Sequence, residues 1–128
     1  ALPRHRFITW LFLHGRILVK TRLARLYGQQ NDVTCGLCGK EEETQDHSFL
    51  ACPWSQELWR LIAAWWPFPP LGSTYEDFMR NIRRNPENRR QRRVMHSIII
   101  ATVYYIWRAR NDHLFKKVLP PYHSLQEA

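Results

Sequence analysis

Three cysteines and one histidine fall within the 18 residues CGLCGKEEETQDHSFLAC, spaced Cys35-x2-Cys38-x8-His47-x4-Cys52. These are all the cysteines of the chain. Thiolate sulfur and imidazole nitrogen are the ligands zinc takes in a closed tetrahedron when its role is structural, and Cys3His is one of the common sets. Cys35-Gly-Leu-Cys38-Gly39 has the form of a knuckle: two thiolates grip one ion, and Gly39 supplies the positive φ of the tight turn. A disulfide framework would leave one cysteine over. A redox C-x-x-C would stand without a βαβ pattern and leave His47 and Cys52 unexplained. Buried, metal-free cysteines would make the spacing an accident. The spacing therefore points to a structural Zn2+ held by Cys35, Cys38, His47 and Cys52.

The last interval poses a problem of geometry. On an unbroken α-helix, residues five apart point about 140° away from each other. Pro53 biases Cys52 away from the helical region. A short helix that carries His47 and ends before Cys52 would let the chain swing the last thiol back. Thr44 is placed to cap that helix and Asp46 to favour its first turn.

The elements around this module read as helices. Pro3 suits a first helical position, and Phe7, Trp10, Leu11 and His14 recur at i, i+3, i+4, i+7 as an apolar face, with Gly15 at the end. A second helix is expected over residues 18–27, with Leu23, Leu26 and Tyr27 apolar. A third opens at Pro53 and runs to about Trp65, with Trp54, Leu58, Leu61, Ile62 and Trp65 at helical spacing. The stretch PFPPLGS (67–73) breaks the chain. Thr74 caps a fourth helix to about Arg84, with Tyr75, Phe78, Met79 and Ile82 on its apolar face. Asn85-Pro86 restarts the chain, and a helix of about 30 residues follows to Lys117. That helix is apolar nearly all round and reads as the central, buried one. Its longest apolar run, 94–107, is 14 residues, too short to span a bilayer. The expected fold is all-α, one domain over 1–128, with the zinc module at about 33–54 and a long central C-terminal helix. The remaining histidines (5, 14, 96, 113, 123) read as ordinary core or surface residues. The chain begins with Ala1, as an excised piece would, and reduced cysteines point to an intracellular compartment.

The net charge of +8 is unevenly placed: +5 over 1–34, −5 over 35–79 and +9 over 80–117. The acidic middle includes Glu41, Glu42, Glu43 and Asp46, so the two flanks are the candidate phosphate-binding surfaces. RNIRRNPENRRQRR (80–93) has seven arginines and one acid. Arg80, Arg83, Arg84, Arg89, Arg90, Arg92 and Arg93 are the candidates there, and Arg89, Arg92, Arg93 and His96 share one helical face. Arg16, Lys20, Arg22 and Arg25 form a second, weaker group. The competing reading of the 80–93 stretch is a solvated basic face or a nuclear-import tag. The tryptophans, at helical spacing, read as core rather than as base-stacking residues.

Three stretches resemble, in order, the zinc-binding domain that follows the reverse transcriptase of plant non-LTR (LINE-type) retrotransposons. FITWLFLHGRILVKTRL (7–23) resembles its opening, CGLCGKEEETQDHSFLACPWSQELW (35–59) its centre and IWRARNDHLF (106–115) its close. The resemblance implies zinc on Cys35, Cys38, His47 and Cys52, and association with element RNA or target DNA. The x8 spacer is longer than that of the retroviral-type knuckle and shorter than that of C2H2 fingers, so neither base-reading mode transfers.

No polymerase Y-x-D-D, H-E-x-x-H, G-x-S-x-G or phosphate-cradling glycine run occurs in the chain, and four ligands leave no open position on the ion. The expected function is therefore a non-catalytic, zinc-stabilised module that contacts RNA or DNA, in the nucleus rather than the cytoplasm. The alternative is a retrotransposon-derived protein-interaction module that docks a partner, or a second copy, through an apolar patch near Trp65, Trp66 and Phe68. Neither reading involves a membrane.

Overall fold

The structure, a computed structural model, describes residues 3–28, 32–65, 72–84 and 88–116. Among these, every regular element is helical: α1 (Pro3–Leu13), α2 (Lys20–Tyr27), a π-helical turn (His47–Ala51), α3 (Pro53–Trp65), α4 (Tyr75–Arg84) and α5 (Arg89–Lys116). The one extended pairing is an isolated antiparallel bridge between Thr34 and Glu42. At 28 residues, α5 is about 42 Å long. No described helix is long and apolar enough to cross a membrane.

Three fully buried phenylalanines make the centre of the core. Phe12 of α1 meets Phe49 of the π-turn at 5.2 Å between ring centroids, and Phe78 of α4 edge-on at 5.4 Å. Each contributes about 1.5–3 kcal/mol by leaving water. Trp59 of α3 closes the group from the side, 6.3 Å from Phe78, and its indole donates to the Phe49 carbonyl at 2.9 Å. α5 lies along α1 and supplies Met95, Ile99, Val103, Ile106 and Ala109 to the same core. Polar ties fix the joints. The Tyr75 hydroxyl donates to the Leu13 carbonyl (2.7 Å), and Gln45 Nε2 donates to the Phe12 carbonyl (2.7 Å).

Several expected faces differ from the observed ones. The buried side of α1 is Ile8, Thr9 and Phe12, while Phe7 and Trp10, expected in the core, are 59% and 44% exposed. α1 is apolar on two sides, and the side carrying Phe12 is the one that can reach Phe49 and Phe78. α2 buries no residue, and Leu26 and Tyr27, expected on an apolar face, are exposed. α5 is not buried all round: Ala101 is exposed and Ile98 and Tyr105 are half-buried, because α3 covers that flank incompletely. α5 begins at Arg89, capped by Asn88, whose Oδ1 accepts from the Gln91 N–H at 2.8 Å. The expected Asn85-Pro86 start lies outside the described residues, as do most of the 67–73 break and Trp66 and Phe68. Thr74 caps α4 as its position implies, accepting from the Asp77 N–H at 3.2 Å.

Candidate metal centre and basic surface

The knuckle is a tight loop closed by its own backbone. The Cys35 N–H donates to the Glu41 carbonyl (2.7 Å) and the Gly39 N–H to the Cys35 carbonyl (2.8 Å). Gly39 takes φ +72°, the left-handed conformation that a side chain would strain. Gly36 is held for a different reason: a Cβ there would stand 2.7 Å from Cδ2 of His113, which α5 presses against the loop.

The π-turn answers the spacing of the last two ligands. The Thr44 hydroxyl accepts from the His47 N–H at 3.0 Å and opens the turn. The chain then widens, so that the Cys52 N–H bonds to the His47 carbonyl, five residues back. This is the i→i+5 pattern, which appears mostly as single turns at functional sites. It raises residue i+5 over residue i and brings Cys52 to the side of His47. The turn ends at Ala51, before Cys52, as the sequence suggested, but it is a π-turn rather than an α-helical one. Cys52 itself has φ −57° and ψ 135°, as a residue before proline should.

Cys52 is also the N-cap of α3. Pro53 occupies the first helical position, and the N–H groups of Trp54 and Ser55 point at the Cys52 sulfur. A thiolate there receives two hydrogen bonds and the positive end of the helix dipole. Cys35 is served by the N–H groups of Cys38 and Leu37.

The four ligand atoms lie within 4.8 Å of one another. Cys35 and Cys52 Sγ are 3.9 Å apart, and Cys38 Sγ is 3.3 Å from His47 Nε2. A tetrahedron with Zn–S bonds of about 2.3 Å has sulfur–sulfur edges of about 3.8 Å, so the cluster fits the ion. The electrostatics agree. The hydrogen bond with Cys52 pulls the Cys35 thiol down from 9.0 to about 5, against burial, with the N–H groups of Cys38 and Leu37 and the His47 ring helping. Cys52 is pushed up by the same shared proton and by burial. A divalent cation takes the place of that proton and leaves both sulfurs as thiolates.

A second constellation, absent from the sequence reading, locks this module to α5. Glu43 is 1% exposed and Arg110 5%. Arg110 Nε donates to Glu43 Oε2 at 2.9 Å and Nη2 to Oε1 at 2.8 Å. Glu43 Oε1 also accepts from the Lys20 N–H (2.7 Å), and Arg110 Nη2 also donates to the Leu18 carbonyl (2.9 Å). Glu43 is thus no part of the acidic surface assigned to residues 41–46. Both residues stood inside the quoted motifs, Glu43 four positions before His47 and Arg110 in IWRARNDHLF; that was the available signal.

The proposed phosphate ligands divide. Arg89, Arg90, Arg92, Arg93 and His96 are exposed on the first turns of α5, and Arg83 is exposed on α4. Arg80 is exposed but paired with Asp77 at 2.9 Å. The Arg84 side chain lies outside the described residues. In the second group Lys20 is committed to the fold: its ammonium donates to the Thr34 carbonyl (2.7 Å) and faces Asp32 at 3.8 Å. Arg22 is half-buried and reaches the Gly15 carbonyl at 3.4 Å. Arg16 and Arg25 are exposed, with Arg16 over the Trp10 ring at 5.8 Å.

Comparison with known proteins agrees with this geometry. No curated protein and no solved structure matches the chain. Residues 1–59, which hold α1, α2, all four ligands and the first half of α3, match the family model described as zinc-binding in reverse transcriptase. The cluster of Cys35, Cys38, His47 and Cys52 is a zinc site, set in a stretch similar to the zinc-binding segment of reverse transcriptases.

Proposed function

We propose that this chain is a zinc-stabilised accessory module of a retrotransposon-type reverse transcriptase, of the plant LINE kind that its motifs resemble, and that it holds RNA or DNA by the phosphate backbone without catalysis. The observation that supports this most is the set of four exposed arginines, Arg89, Arg90, Arg92 and Arg93, on the first two turns of α5. Guanidinium groups at that spacing can follow a phosphate backbone as charge-assisted, bidentate donors. Arg83, exposed on α4, is a further candidate. The zinc site has all four positions taken by protein, so its role in this reading is to hold the fold. A nuclear location follows from the same reading.

The test is fluorescence anisotropy with labelled RNA, single-stranded DNA and duplex DNA over a range of salt. Binding should weaken with salt by about 0.7–0.9 in log–log slope for each phosphate contact. Changing Arg89, Arg90, Arg92 and Arg93 together to alanine should flatten that slope. No binding at low salt, or an unchanged slope in the quadruple variant, rejects the proposal.

A second reading rests on the apolar groove of about 380 Å³ between α3 and α5, lined by Leu58, Leu61, Ile62, Trp65, Ile98 and Tyr105. Trp65 at its end is 89% exposed. Arg90, Arg93 and Arg108 are exposed along the same helix. That combination suits a partner helix with an apolar face and acidic flanks. Capture of such a helical peptide, lost on Trp65→Ala, would favour the interaction module.

A further inference from the structure

The face of α1 expected in the core is the one left outside. Phe7, Trp10 and His14 stand at i, i+3 and i+7, so they form one stripe along the helix. Phe7 is 59% and Trp10 44% exposed, and His14 is exposed as well. The core does not need them, since Ile8 and Phe12 on the opposite side fill that role.

The stripe is also organised. The His14 imidazole stacks on the Trp10 indole with centroids 4.2 Å apart, and its Nδ1 lies 2.8 Å from the Trp10 carbonyl, which fixes the ring. Arg16 sits over the same indole at 5.8 Å. Helical spacing places Arg6, which is exposed, along one border of the stripe, while Arg4 reaches the Tyr104 hydroxyl of α5 at 3.5 Å. Aromatic rings and guanidinium planes side by side are what unpaired bases stack on, while the cations take the phosphates. From Phe7 to His14 the helix rises about 10 Å, the reach of about three nucleotides at stacked spacing.

We propose that the outer face of α1 is a stacking platform for two or three unpaired bases of single-stranded RNA or DNA. Phe7 and the Trp10–His14 stack would take the bases, and Arg6 and Arg16 the backbone. This rests on the nucleic-acid reading above and deepens it. The arginines of α5 see only phosphate and bind single strands and duplexes alike. The α1 stripe sees base faces, which a duplex hides in its own stack, so it adds a preference for single strands. The positive border selects a nucleic acid over an apolar protein face.

The test compares the wild-type chain with Phe7→Ala plus Trp10→Ala. The probes are a labelled single strand of about 12 nucleotides, the same strand with abasic positions, and a duplex of equal length. The expected result is a loss of about 10-fold in affinity per stacked base for the intact single strand only. Duplex and abasic binding, the salt slope, zinc content and thermal melting should stay as in the wild type. Trp10→Phe, which keeps a ring, should recover most of the loss. The proposal is overturned if the double variant binds the single strand as well as the wild type, or if single-strand and duplex binding fall together. A wild-type dimer that the same changes dissociate would also overturn it, assigning the stripe to a second copy. Absence of all binding by the wild type would instead remove the nucleic-acid reading itself.

Discussion

Arg110 and Glu43, 67 positions apart, meet as a two-pronged ion pair that water hardly reaches. The pair joins the last third of the chain to the strand of backbone that leaves the zinc knuckle. Its spare capacity is used as well, by the Lys20 N–H on one side and the Leu18 carbonyl on the other. Three segments of the chain are thereby pinned at one point.

Removing one partner of such a pair leaves an uncompensated buried charge, at a cost of about 3–5 kcal/mol. Arg110→Ala and Glu43→Ala should each lower stability by that amount in urea titrations. The double variant should be much less than additive, because the two residues form one unit. Additive losses would mean that the pair does not act as drawn.

Zinc removal should do more. Structural zinc sites contribute on the order of 10–16 kcal/mol of apparent binding free energy at neutral pH. A domain of this size is stable by about 5–15 kcal/mol in total. Chelation, or Cys35→Ser with Cys38→Ser, should therefore abolish cooperative melting and much of the helical circular dichroism signal. Unchanged melting of the double variant, with no zinc in the wild type by atomic absorption, would remove the metal site.

Acid should act through the same ligands. A bound divalent cation needs its cysteines as thiolates, so protons compete with the metal for the ligands. Zinc retention, followed with a chromogenic chelator from about pH 8 to about pH 4, should therefore fall as the pH is lowered, and the helical signal should fall with it. Zinc retained undiminished at about pH 4 would contradict thiolate ligation.

The knuckle has no room at Gly36. With His113 Cδ2 2.7 Å from the place of a Cβ, Gly36→Ala forces the ring or the loop to move. Overpacking of this kind costs about 1–3 kcal/mol. The loss should shrink towards zero when His113 is also changed to alanine, which a double-mutant cycle in thermal melts would read.

Much of this was legible in the residues. The ligand set, the Thr44 and Thr74 caps, the Pro53 helix start and the all-helical class follow from local spacing and capping chemistry. The π-turn did not, although the five-residue interval between His47 and Cys52 announced that an ordinary helix fails there. Which face of α1 is buried could not be read either. Phe7, Trp10 and Leu11 match the helical period as well as Ile8 and Phe12 do, and only the positions of Phe49 and Phe78 decide between them. Glu43 looked like one more member of an acidic surface run, because its partner arrives from 67 residues further along.

One boundary follows from Arg110. The match to the family model ends at Trp59, yet the guanidinium that neutralises Glu43 and the ring that backs Gly36 both come from α5. A fragment cut after Trp59 would keep every zinc ligand and lose the cation that neutralises Glu43. The residues that bind the metal and the residues that keep its surroundings neutral and packed are therefore different lengths of chain, the longer reaching at least to His113.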